Sequence, residues 1–157
     1  MAGNSGKTAM VRKGPSAPMK WITTKYMVWP AGTDDGLLDY GCGRGADADY
    51  LNCVKYDPKW FPTEPNGKFH TIFCTYVLNT LTEQEAHQTL CNIQALMYAY
   101  SYLFVTVRRD IKQEGMQLGG SYQRNVVLDT YPIDGLVCQS IRKTSGYEIY
   151  LITRRND

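Results

Sequence analysis

Apolar residues along this chain gather into short runs, each stopped by glycine, proline or a polar cluster, and the runs predict alternating helices and strands. Pro15 and Pro18 suit a helix start, so a first helix is expected from Ser16 or Ala17 to about Met27, before a loop through Pro30, Gly32, Asp34 and Asp35. Leu37–Tyr40 is an apolar run halted by Gly41-Cys42-Gly43-Arg44-Gly45, a strand entering a glycine turn. A short helix over 46–52 follows, then a strand from Cys53 to Tyr56 ending at Asp57-Pro58, then loop from Lys59 to Lys68. Phe69 to Tyr76 reads as a third strand with a turn through Asn79. Thr82 with Glu85 three residues on forms a capping box, opening a helix expected to reach about Tyr100. Tyr102 to Val107 is unbroken apolar chain, the type buried inside a parallel sheet. Residues 110–134, interrupted by Gly115, Gly119 and Gly120, show no clear element. Leu136–Lys143 and Tyr147–Thr153 flank Thr144-Ser145-Gly146 as a hairpin.

That order predicts an α/β fold: a mostly parallel sheet with an antiparallel C-terminal hairpin. Eleven residues separate Asp57 from Phe69, about the minimum for joining parallel strands. No full helix–strand–helix unit fits there.

Composition narrows the class. With 157 residues, 43% apolar and 20% charged, the chain suits one soluble globular domain rather than a disordered or fibrous protein. The expected organisation is a flexible basic segment over 1–14 and a single compact domain over 15–157. Seventeen Lys and Arg against fifteen Asp and Glu leave +2, too little to argue for nucleic acid. The charge is uneven, however: Lys7, Arg12, Lys13, Lys20 and Lys25 precede the first acidic residue, Asp34, a pattern that suits contact with phosphates or a solvated tail. No apolar run nears the roughly 20 residues of a membrane span, and no signal peptide is evident. Cys42, Cys53, Cys74, Cys91 and Cys138 are scattered and odd in number, which suits reduced thiols and a cytoplasmic location. His70 and His87 have no metal-ligand spacing, so no metal site is expected; His87 reads as a helix-surface residue. Gly3-Asn4-Ser5-Gly6-Lys7-Thr8 fails as a phosphate-binding Walker loop, because Met1 stands where the first glycine belongs. Lys7 and Thr8 are left as a lid over a ligand or as part of a mobile tail.

LLDYGCGRGA, residues 37–46, is the informative stretch. A strand running into alternate glycines and then a helix lets backbone pass close under a ligand. Gly41-x-Gly43-x-x-Ala46 also satisfies the loose dinucleotide fingerprint, with Asp57 as a ribose-binding acid. Asp39 separates the two readings. A pyrophosphate at this turn would meet a carboxylate two residues before the first glycine, whereas S-adenosylmethionine (SAM) brings an ammonium and a sulfonium.

Leu-Leu-Asp-Tyr-Gly-Cys-Gly-Arg-Gly resembles the first motif of class I SAM-dependent methyltransferases, and FHTIFCTYVLNTL resembles their fourth. Lys7-Thr8-Ala9, Ser16 with Pro18, Tyr56-Asp57-Pro58, Tyr76-Val77-Leu78-Asn79 and Gly120-Ser121-Tyr122-Gln123 are similar to the small phage-type and DNA-phosphorothioation-associated members. The resemblance implies methyl transfer with SAM as cofactor and S-adenosylhomocysteine (SAH) as product. It implies a cofactor site of Asp39, Gly41, Cys42, Gly43, Gly45, Asp57, Pro58 and Tyr76, with Tyr76 and Asn79 as the catalytic candidates. For a phage-encoded chain the location would be the host cytoplasm. The acceptor expected first is nucleic acid or a nucleic-acid-associated target, contacted through the basic N-terminal segment; a small-molecule or protein methyltransferase, or a non-catalytic SAM-binding module that needs a partner, is the alternative. Asp57-Pro58-Lys59-Trp60 imitates the box of DNA amino-methyltransferases but follows the second strand, not the fourth. The resemblance implies a Rossmann-like sheet of normally seven strands, from which the short Asp57–Phe69 connection drops one outer strand–helix unit; Trp60 and Phe61 then either wall the adenine or pack back on the core. Arg108-Arg109-Asp110 is a candidate anion clamp or a solvated strand end.

Overall fold

Alternation within the third strand sets the layers. The computed structural model describes residues 9–26, 36–129 and 133–155. In it the strands are β1 (Leu37–Tyr40), β2 (Val54–Tyr56), β3 (Phe69–Thr75), β4 (Met97–Arg108), β5 (Gly115–Met116), β6 (Tyr122–Gln123), β7 (Leu136–Lys143) and β8 (Tyr147–Arg154). The helices are α1 (Ala17–Tyr26), α2 (Ala46–Leu51) and α3 (Glu83–Gln94). Ile72 and Cys74 of β3 pack with α3 through Ala86, Leu90 and Ile93, while Phe73 between them packs with Met19 and Ile22 of α1 and Ala48 and Leu51 of α2. At six residues α2 is too short to persist on its own propensity. Full burial of a Leu-sized side chain contributes about 1.5–3 kcal/mol, and Leu51 supplies one such anchor.

The main sheet has six strands in the order β2-β1-β3-β4-β8-β7. β2, β1, β3 and β4 run parallel, and β8 joins β4 antiparallel and pairs with β7 as a hairpin. β2 forms one edge, as the short Asp57–Phe69 connection requires. That connection folds on itself instead, with Asp57 and Phe61 exchanging backbone hydrogen bonds at 3.0 Å. Ser16 joins α1 to α2: its N–H and hydroxyl donate to the two oxygens of Asp47 at 2.6 and 2.8 Å.

Two expectations need correction. The helix that opens at Thr82 has the expected capping box, but it ends at Gln94, not near Tyr100. Residues 97–100 already belong to β4, where Tyr98 and Tyr100 stack on each other at 5.1 Å and on His70. The buried Ser101 hydroxyl secures this bulged start, accepting from Tyr98 N–H and donating to the Phe69 carbonyl. Residues 110–134, without a clear element in the sequence, contain the small β5–β6 hairpin. The loop expected through Pro30, Gly32, Asp34 and Asp35, and the lid or tail expected at Lys7 and Thr8, lie outside the described residues. Among the described residues no helix is long and apolar enough to cross a membrane.

Candidate functional site

The glycine turn after β1 is held by its neighbour in the sheet: Gly41 and Cys42 donate their N–H groups to the Tyr56 carbonyl at 2.7 and 2.9 Å. Gly41, Gly43 and Gly45 all adopt left-handed backbone, with φ of 84°, 57° and 89°. At Gly41 a second demand applies. A Cβ there would stand 2.3 Å from Cγ2 of Val77, in the turn that follows β3. The close approach expected of a ligand is thus made at Gly41 by the protein, which brings the tips of β1 and β3 together. At Gly43 and Gly45 the space is tight rather than closed, with Ala9 and Phe61 each 3.3 Å from where a Cβ would stand.

Above this turn lies a cavity of about 390 Å³ at the carboxyl ends of the parallel strands, where ligands bind in open α/β sheets. Its walls include Asp39, Gly41, Cys42, Gly43, Asp57, Pro58 and Tyr76 among the expected cofactor residues. Gly45 lies behind that wall. Ala9, Met10 and Arg12 close another side, and Arg108, Asp110, Gln123 and Gly146 form the far end.

Asp39 is 2% exposed. Burial first, then the charges of Asp47 and Asp57, push its carboxyl well above the usual range, with Arg12 acting the other way. No hydrogen bond to this carboxyl comes from the described side chains, and Asp39 forms part of the cavity wall. Asp57 is differently placed. Its Oδ2 accepts from Gly43 N–H at 2.9 Å, and Oδ1 accepts from the N–H groups of Lys59 and Trp60 at 2.9 and 3.1 Å. It therefore ties the glycine turn to the loop after β2, and Oδ2 retains an unused lone pair. Asp47 and Asp49 occupy the first turn of α2, so the helix end that would face a pyrophosphate already meets two carboxylates.

Tyr76 has φ +60°, a costly conformation for an aromatic residue, and the guanidinium of Arg12 lies 6.0 Å from its ring centre. Burial pushes its phenol up to about 12, so near neutral pH it donates or accepts hydrogen bonds without acting as a base. Burial and the Asp39 and Asp57 charges likewise push the Cys42 thiol up, away from a nucleophilic thiolate.

Asn79 does not join the other candidates. It is fully buried and absent from the cavity wall, with Oδ1 accepting from Arg108 N–H at 2.7 Å and Nδ2 donating to the Arg124 carbonyl at 2.9 Å. Trp60 and Phe61 do not line the cavity either. Trp60 sits between Arg44 and Lys59, 4.3 and 4.8 Å from its ring centre, and Phe61 packs under Lys55. Of the Arg108-Arg109-Asp110 cluster, Arg109 turns away to Glu148 at 2.7 Å and to the Tyr150 hydroxyl. Arg108 and Asp110 stay in the wall, paired with each other at 2.8 Å. Sequence reasoning missed Asp47 and Gln123 as wall residues. The signal for Asp47 was its place in the first turn after the glycines; Gln123 lay in the unreadable stretch.

No family profile matches the chain, and no curated protein matches it by sequence. Solved structures match it by fold. The mitomycin 7-O-methyltransferase MmcR superimposes with a TM-score of 0.54 at 15% identity over 76% of this chain, which spans 48% of that protein's length. Magnesium protoporphyrin IX methyltransferase (ChlM) from Synechocystis PCC 6803, with bound SAH, gives 0.56 at 15% identity, covering 88% of this chain and 81% of its own. The 1,6-didemethyltoxoflavin-N1-methyltransferase of Burkholderia thailandensis gives 0.56 at 17% identity, covering 90% of this chain and 78% of its own. At such identities the shared property is the fold. The chain has the Rossmann-like fold found in SAM-dependent methyltransferases, with β2 at its edge.

Proposed function

We propose that the protein is a SAM-dependent methyltransferase acting on a small molecule. The carrying observation is Asp39, a buried carboxylate without a described partner on the floor of a cavity beside the glycine turn. The donor set suits SAM better than a dinucleotide. Three arginines and four aspartates line the cavity, and three of the aspartates, Asp39, Asp47 and Asp57, cluster at the turn, where a pyrophosphate would add like charge. SAM has no phosphate and a net positive charge.

When bound, SAM supplies a methyl group already activated on a sulfonium, which an acceptor lone pair displaces in line to leave SAH. The residues of this chain align, hold and exclude water. Asp39 and the 41–45 turn hold the methionine portion, Asp57 offers Oδ2 to the ribose, and Pro58 borders the base. Tyr76 orients the acceptor as a neutral phenol, while Asn79 holds the wall from behind. The three fold relatives are named for small-molecule acceptors, which favours a small acceptor here. Arg12, one of the basic N-terminal residues, faces this cavity, which weakens the case for an extended nucleic-acid track. The phage-type and phosphorothioation-associated kinship stays within this proposal, on the motifs quoted above.

Calorimetry with SAM and SAH tests the cofactor. Binding of both is expected, weakened about tenfold to a hundredfold in Asp39→Asn, the value of a hydrogen bond to a charged group. Failure of both to bind at millimolar concentration sinks the reading. Radiolabelled methyl transfer into small-molecule, protein, DNA and RNA fractions of a cell extract then identifies the acceptor. Label in nucleic acid alone overturns the small-molecule assignment, and binding without transfer indicates a SAM-binding module.

A further inference from the structure

The stretch between β4 and β7 delivers one side chain to the cavity whose hydrogen bonding is incomplete. Gln123, on β6, lines the far end of the cavity and is 6% exposed, and its Oε1 is buried with no partner among the described residues. Such an orphan costs about 1–3 kcal/mol, and folded proteins retain few of them. Arg124 Nη2 is orphaned too, but Arg124 does not reach the cavity.

The position of Gln123 is fixed from behind. Gly115 pairs with it across the β5–β6 hairpin. The next residue, Arg124, donates its backbone N–H to the Asn79 carbonyl at 2.9 Å and its Nε to the Leu81 carbonyl at 2.6 Å. The Asn79 carboxamide bridges the Arg124 carbonyl and the Arg108 N–H, so one buried side chain sets both β4's end and β6's exit. The charges at this end are matched: Arg108 is held by Asp110, and Tyr76 is neutral.

We propose that Gln123 is the specificity-determining residue of the acceptor site, completed by an uncharged acceptor that presents an N–H or O–H donor. This rests on the methyltransferase reading. The terminal torsion of glutamine is broad, so the carboxamide turns Oε1 into the cavity without moving β6. Gln123 acts in recognition alone; it takes no proton and forms no bond to the methyl group. Asn79 is a positioning residue for it.

Two matched pairs of probes test this: phenol against anisole, and 2-pyridone against N-methyl-2-pyridone. Affinities are measured by calorimetry in every variant, and contact with Gln123 in the parent is followed through its pair of side-chain amide resonances, identified by their loss in Gln123→Leu. Phenol and 2-pyridone are expected to shift that pair and to bind about five- to tenfold more tightly than their methylated partners, the value of one hydrogen bond. The preference disappears in Gln123→Leu and survives in Gln123→Glu, which keeps an acceptor and guards against a folding failure of the leucine variant. Equal binding within each pair, or a preference that survives in a folded Gln123→Leu, overturns the assignment. The titrations are run with and without SAH. Loss of SAH binding alone therefore removes the cofactor reading and leaves the Gln123 result standing or falling separately.

Discussion

Gly41 meets two requirements that a side chain would violate, and they are separable by mutation. Left-handed backbone costs a residue with a Cβ about 1–2 kcal/mol, and forcing a carbon against Val77 adds about 1–3 kcal/mol of overpacking. Gly41→Ala is therefore expected to lower unfolding stability by about 2–5 kcal/mol in urea titrations. Gly67→Ala, at φ +87° with open space around the new carbon, is expected to lose only the backbone part. Adding Val77→Ala should restore the packing part to Gly41→Ala; no restoration would refute the contact. Asp39 makes a prediction of opposite sign. Its folded carboxyl binds protons more tightly than an unfolded one, so the ligand-free fold loses stability as pH rises from about 4 toward Asp39's raised value. Asp39→Asn removes that loss. The variant is expected to be more stable than the parent at pH 8, with the gap shrinking toward pH 4, while its SAM affinity is lower. A gap independent of pH would mean that Asp39 is not the buried charge described.

Between elements, the fastening at Asn79 is the testable unit. Asn79→Ala strands the Arg108 N–H and the Arg124 carbonyl together, so a stability loss of about 2–4 kcal/mol is expected. Faster amide exchange should concentrate in β6 and the end of β4, and uniform exchange across the sheet would argue against a clamp. Element type was readable wherever a local rule acted alone. The Thr82–Glu85 reciprocal cap and the strand–glycine–helix passage at 37–46 are such cases, because both depend on neighbouring residues. The end of α3 was harder. Tyr98, Tyr100 and Tyr102 alternate at strand spacing, yet Ala95 to Met97 continue a helix-compatible pattern; pairing of Met97 with Phe69 decides for the strand. Residues 110–134 were opaque because their anchors, Asn79 and Leu81, lie far away in sequence.

For the whole molecule, the α/β class and the antiparallel C-terminal hairpin followed from element sequence, while the strand order appears only in the structure. The site was legible in part. Asp39 and the glycines were recognisable by charge and spacing, while the roles of Asn79 and Gln123 depend on contacts across 29 to 45 positions, which no local pattern records. The position of the C-terminal hairpin has a consequence for how the chain acquires its shape. β8 lies between β4 and β7, so the open flank of β4 stays exposed on a nascent chain until residues 147–154 leave the ribosome. β7 and β8 can zip locally through their tight turn and then dock as a ready-made pair, but the parallel half must wait for them.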